Sequence, residues 1–150
     1  MRLIAALTAV SLLAACTQQE PQGPDRAEPP APPPVLAGVD LGQPVRALGT
    51  EPFWSVDITP ARITYSGADR PEQTAPNAGP TVTGTVATWK VETVQGNDLE
   101  ITLIATECSD GMSDRTYPLI ARVVIGEETL QGCAASTAAI TSAGESGPVQ

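Results

Sequence analysis

Two short polar segments hold the side chains best suited to chemistry, GTEPFW at 49–54 and CSDGMSDRTYP at 108–118. Glu51, Asp110 and Asp114 are their carboxylates. Carboxyl groups about 6–9 Å apart can divide the work of general acid and general base. Carboxylates can also hold calcium, but the alternating acids and closing glutamate of a calcium loop are absent. Asp110 is expected to spend its charge on nearby backbone N–H groups, as aspartates at turns do. Ser113 is the hydroxyl of the same loop, and the chain contains no histidine. A Ser–His–acid triad is therefore excluded, and the usual general base and commonest metal ligand are missing. These residue types predict a protein that is not an enzyme, with no catalytic residue, no metal site and no cofactor.

Sulfur is the other reactive element. The chain has three cysteines, Cys16, Cys108 and Cys133. Cys16 closes LAAC, after a short positive start at Arg2 and an apolar run over 3–13. That run is shorter than the ~20 residues needed to span a bilayer, and it has the pattern of a secretory signal peptide. LAAC at 13–16 resembles a bacterial lipobox. The resemblance implies cleavage before Cys16, a diacylglycerol on its sulfur and an acyl chain on its amine. Several buried acyl chains, at ~0.8 kcal/mol per CH₂, make a stable anchor. Thr17 stands where lipoproteins retained at the inner membrane often carry Asp, which points to the outer membrane, facing the periplasm. With Cys16 acylated, Cys108 and Cys133 are left in an oxidising compartment, where one disulfide is the natural outcome. The bridge would close a loop of about 26 residues, worth roughly 3.5 kcal/mol by chain entropy. A redox pair or two metal thiolates are the alternatives; there is no CxxC motif, and two sulfurs without histidine make a poor metal site.

Charge narrows the partners. The chain carries 8 basic and 17 acidic side chains. Removal of 1–15 takes Arg2 and no acid, so the mature chain is more acidic still. That disfavours nucleic acid and anionic lipid head groups and permits a cationic partner. Residues 17–34 contain seven prolines among 18 residues and no large apolar side chain. Such a stretch cannot bury enough surface to offset ordering; it predicts a disordered tether of polyproline II character, up to about 55 Å long. Residues 135–150, small and polar without a period, predict a disordered tail. The division expected is a signal peptide at 1–15, acylated cysteine and linker at 16–38, a folded domain at 39–134 and the tail.

Between the tether and the tail the pattern is β. Residues 53–59 alternate, with Trp54, Val56 and Ile58 on one face. Ile63 and Tyr65 continue the pattern after a break at 60–61. Residues 67–80 are rich in Gly, Pro, Asn and Asp and predict a long loop. Residues 81–94 are rich in β-branched side chains, but their apolar phase shifts between Val86 and Trp89, as a bulge near Ala87 or Thr88, or a bend between two strands, would cause. Residues 99–106 alternate again, 119–125 are nearly all apolar, and 129–133 form a short last strand. No helical period of useful length occurs. The fold class predicted is all-β: a small antiparallel barrel, closed or half-open, with a two-sheet sandwich as the alternative.

Three pieces taken together, GTEPFW at 49–54, CSDGMSD leading to Tyr117-Pro118, and Gly132-Cys133, resemble a family of bacterial envelope lipoproteins often labelled only as membrane-like proteins. The resemblance covers 47–134. It implies an exported β domain with a bridged cysteine pair and brings no activity with it. At the level of fold, the arrangement is also similar to the periplasmic inhibitors of C-type lysozyme, small β-barrels with a disulfide and a serine-bearing loop. By that similarity, Ser113 and Arg115 would serve an inhibitory loop against a cationic lysozyme.

The resulting expectation is a non-enzymatic, lipid-anchored module of the bacterial cell envelope. It would bind an envelope protein or other ligand through 108–118 and the 51–54 region, with Glu51, Trp54, Asp110, Met112, Ser113, Arg115 and Tyr117 as candidate contacts. A lysozyme-inhibitor-like protein and a purely structural envelope component are the alternatives. Phe53 and Trp54 must face opposite ways, one into the core and the other under the 67–80 loop or along a ligand site. Met112 is expected to fold back over the barrel mouth, the alternative being an apolar contact for a partner.

Overall fold

The computed structural model describes residues 32–68 and 70–150. The signal peptide, Cys16 and the greater part of the tether lie outside them. A two-strand hairpin comes first, β1 (Val35–Leu36) and β2 (Val39–Asp40). The main strands begin with β3 (Val45–Thr50), β4 (Phe53–Ile58), β5 (Arg62–Gly67) and β6 (Gln73–Pro76). They continue with β7 (Thr81–Thr83), β8 (Val86–Glu92) and β9 (Asp98–Ile104). Two short strands, β10 (Cys108–Ser109) and β11 (Asp114–Tyr117), precede the long pair β12 (Leu119–Ile125) and β13 (Glu128–Ser136). A one-and-a-half-turn helix α1 (Thr137–Ser142) and β14 (Ser146–Pro148) end the chain.

Nine strands form one antiparallel sheet in the order β6-β5-β4-β3-β13-β12-β9-β8-β7. The sheet is curled into a half-barrel, so the all-β, half-open reading holds. Period-2 alternation lines its inner face. Val45 and Ala47 of β3, Trp54, Val56 and Ile58 of β4, Ile63 and Tyr65 of β5, and Leu99, Ile101 and Leu103 of β9 are all buried in one core. Leu36, Val39 and Leu41 join that core, so the folded unit starts earlier than residue 39.

Edge strand β6 meets the β8–β9 turn across a seam of polar groups. The N–H of Val94 donates to the carbonyl of Thr74 (2.7 Å). Buried Gln73 accepts from Thr93 Oγ1 (3.2 Å) and Asn97 Nδ2 (2.8 Å) and donates its own amide to the carbonyl of Pro71 (3.0 Å). A full ladder is absent at this seam, because β6 is short and ends at Pro76.

Three expectations need correction and one pair of alternatives is decided. Residues 67–80 are not one loop, since β6 pairs with β5 there; its alternation is carried by Gln73 and Ala75, which a hydrophobic pattern does not register. Of the two readings of 81–94, the bend between two strands holds and the bulge does not: a tight turn at Gly84-Thr85 joins β7 to β8, Gly84 has φ +57°, the left-handed region that glycine adopts without strain, and Val86 and Trp89 take opposite faces of an unbroken β8. The strand read at 129–133 runs on to Ser136. Residues 135–150 are not a disordered tail: Ser136 caps α1 by accepting from the Ala139 N–H (3.1 Å), and β14 pairs in parallel with β11. The tail looked structureless because its anchors, Ile140 and Val149, are single apolar residues among small ones, and its pairing partner lies about 30 residues upstream in the sequence.

One close fit organises the centre of the sheet. The Trp54 indole lies across Gly49 of β3 and Gly132 of β13. A Cβ at Gly49 would collide with the indole, and one at Gly132 with the Leu48 carbonyl and the same ring. Gly132→Ala is expected to cost about 3 kcal/mol by overpacking, read as a lowered urea-unfolding midpoint at unchanged m-value. An unchanged midpoint would show that β3 and the indole can both give way without cost.

Candidate functional site

The 108–118 segment does not cover the mouth of the barrel. It lies against the outer wall. Along β3, Val45, Ala47 and Gly49 face inward, so Arg46, Leu48 and Thr50 face outward; along β13, Gln131, Cys133 and Ala135 share that outer face. A second, smaller core forms there. Tyr117, Cys133, Ala135, Ala139 and Val149 are buried together, with Leu48, Cys108 and Ile140 packed against them. The flap over this wall is a three-stranded sheet, β10-β11-β14, with α1 beside it. Its covalent pin is the Cys108–Cys133 disulfide, with Cα atoms 5.6 Å apart.

Asp110 organises the tip of the flap. Its Oδ1 accepts from the backbone N–H groups of Met112 (3.0 Å) and Ser113 (2.8 Å). Its Oδ2 accepts from the Ser113 hydroxyl (2.7 Å) and the Tyr117 phenol (3.2 Å). Gly111 takes φ +72°, so the turn between these groups suits glycine. Partial burial alone would raise the Asp110 pKa, but the bonds from Ser113, Met112 and Tyr117 outweigh it and hold the carboxyl below its ordinary range. The Asp110 carbonyl in turn accepts from Thr50 Oγ1 (3.1 Å), which ties the flap tip to the end of β3.

The candidate residues divide sharply. Asp110 caps the turn as expected. Ser113 is committed to Asp110 and also accepts from the Arg115 N–H (3.3 Å), while Arg115 Nε donates to the Gly144 carbonyl (2.8 Å). Trp54 and Tyr117 are buried, at 5% and 2% exposure, so neither is a surface contact in this state. Trp54 is consumed by the fit on Gly49 and Gly132, and Tyr117 by the outer core. Met112 does not plug the barrel; it is 64% exposed. Phe53, expected to face opposite Trp54 but absent from the candidate contacts, is also 64% exposed. The alternation decides its side: with Trp54 inward, Phe53 faces out on a β4 surface whose other outward residues are Ser55 and Asp57. Phe53 pairs directly with Thr50, so it stands beside the flap tip. Glu51, in the turn before Phe53, and Asp114, at the start of β11, are exposed.

Hollows flank the flap on more than one side. A groove of about 610 Å³ runs between the β1–β2 turn, α1 and Val149-Gln150, lined largely by small residues. It went unread because much of its wall belongs to residues 136–150. A smaller one of about 270 Å³ lies beside the disulfide, between Leu48, Thr50, Asp110, Ile120 and Gln131. Among the described residues no group of three or more His, Cys, Asp or Glu side chains is placed to hold a metal.

No family model, no curated protein and no solved structure matches the chain.

The Asp110 network makes a pH-dependent contribution. A carboxyl whose folded pKa is depressed stabilises the fold above its unfolded value, near 3.9, and loses that contribution as the pH falls through the folded pKa. Asp110→Asn is expected to cost about 1 kcal/mol at neutral pH. The gap from the parent protein should narrow as the pH falls below the unfolded value and towards the lower folded one, measured by urea unfolding across pH. A gap of constant size down to pH 2 would show that the charge on Asp110 is not what holds the turn.

Proposed function

We propose that the protein is a non-enzymatic, lipid-anchored module of the bacterial cell envelope, held at the outer membrane through acylated Cys16. Its β domain binds a protein partner through the flap tip and the adjoining end of β4. The observation that carries this reading is the contrast at the tip. The polar groups of Asp110, Ser113, Arg115 and Tyr117 are bonded to one another or to backbone. The large apolar side chains of Phe53 and Met112 are left to water. A carboxylate held ionised by four donors is a poor proton acceptor and a good scaffold. The tip is thus built to present surface rather than to move protons.

Anchoring is tested by fractionation: Cys16→Ser should move the chain from the membrane pellet to the soluble envelope fraction. A variant that stays with the membrane would remove the acyl anchor from the account. Binding is tested by photo-crosslinking in the living envelope. A photoreactive residue at 112 or 53 should give a discrete adduct, and one at exposed Val94 should not. Absence of any adduct from 112 and 53 would leave the structural envelope component as the reading to adopt. The lysozyme-inhibitor alternative, which rests on Ser113 and Arg115, requires that the chain inhibit a C-type lysozyme and that Ser113→Ala or Arg115→Ala abolish the effect.

A further inference from the structure

Five large apolar side chains are exposed among the described residues: Val35, Phe53, Val82, Val94 and Met112. Only Phe53 and Met112 are brought to one place by a bond between their segments. Thr50, directly opposite Phe53 in the β3–β4 register, donates to the carbonyl of Asp110, two residues before Met112. Cross-strand partners stand about 4.5–5.5 Å apart at Cβ, so Phe53 stands one strand spacing from the residue that holds the flap tip. Both supports are fixed beforehand. Phe53 sits in a paired strand, and the Met112 N–H is held by Asp110 in a loop stapled at Cys108. Little ordering would therefore remain to oppose binding.

The charge around this pair is predominantly acidic. Glu51 precedes Phe53 across the turn, and Asp110 and Asp114 flank Met112. The bases nearby are engaged or set back. Arg115 donates to the Gly144 carbonyl, Arg46 pairs with Asp57, Arg70 pairs with Glu128, and Arg122 stands on β12, two strands from β3. Residues 32–150 hold 14 acids and 6 bases in all. We infer that Phe53 and Met112, rimmed by Glu51, Asp110 and Asp114, dock a basic protein segment that brings an apolar side chain between them. This rests on the binding role proposed above and names its partner class. An anionic lipid surface would meet the same acids and be repelled. A neutral apolar partner would leave them desolvated without compensation.

The test uses the full chain in phosphatidylcholine nanodiscs, with empty nanodiscs as the reference, and three dye-labelled synthetic peptides followed by fluorescence anisotropy. One alternates Lys and Leu, one Lys and Ser, one Glu and Leu. The Lys–Leu peptide should bind at least about tenfold more tightly than either other, and its affinity should fall several-fold between 50 and 300 mM salt. Phe53→Ser and Met112→Ser should each weaken it about fivefold or more with unchanged thermal midpoints, while Val94→Ser should leave it unaltered. Equal binding of Lys–Ser, preference for Glu–Leu, or indifference to both serine variants would overturn the inference. So would Phe53-dependent binding of the chain to phosphatidylglycerol vesicles in place of the peptide. A position-112 adduct with an acidic or neutral protein would sink the basic partner and leave the binding role standing; loss of the adduct itself would remove both.

Discussion

Two neighbouring residues of β13 face opposite ways, and the rest of the structure hangs on them. Gly132 turns inward and leaves the space that the Trp54 indole fills against Gly49. Cys133 turns outward and is bonded to Cys108. The first sets how closely β4, β3 and β13 can pack around the inner core. The second sets where the flap lies on the outer wall. Because side chains alternate along a strand, slipping β13 by one residue would exchange the two roles and destroy both. GTEPFW and Gly132-Cys133 are thus physically one arrangement, though some 80 residues apart in sequence.

The flap extends a domain that would otherwise have little to stabilise its outer face. Open antiparallel sheets usually leave that face to water. Here Tyr117, Val149, Ile140 and the disulfide cover Leu48 and Ala135, so β3 and β13 are sandwiched between two cores. The cover is made of short, weakly pairing pieces, and Asp110 compensates by gathering four donors onto one charge. Charge-assisted bonds of this kind are about twice as strong as neutral ones. A tip that is stiff inside and apolar outside follows from that economy.

Period-2 alternation made the barrel wall legible: Trp54, Val56, Ile58, Ile63, Tyr65, Leu99, Ile101 and Leu103 all face inward as the sequence pattern requires. Cysteine counting found the disulfide, and turn chemistry found the Asp110 cap. The failures share a cause. β6 turns inward with Gln73, a polar residue whose bonds are all tertiary. β14 is held by a parallel partner that no local signal announces. Met112 was assigned to the barrel mouth because the path of 108–118 depends on the outer core, which is built from residues scattered between 48 and 149. Trp54 and Tyr117 were selected for chemical type, but burial decides whether an aromatic ring recognises a partner or supports the fold.

The seam between β6 and the β8–β9 turn has a dynamic consequence. Elsewhere a strand can leave only by breaking a ladder; here the gap is bridged by the Val94–Thr74 bond and the side chains around Gln73. Opening should begin at that point and cost far less than unfolding β12, which is paired on both sides. Solvent deuterium should therefore reach the amide of Val94 through small local excursions, while the amides of Ala121 and Val123 wait for the whole domain to come apart.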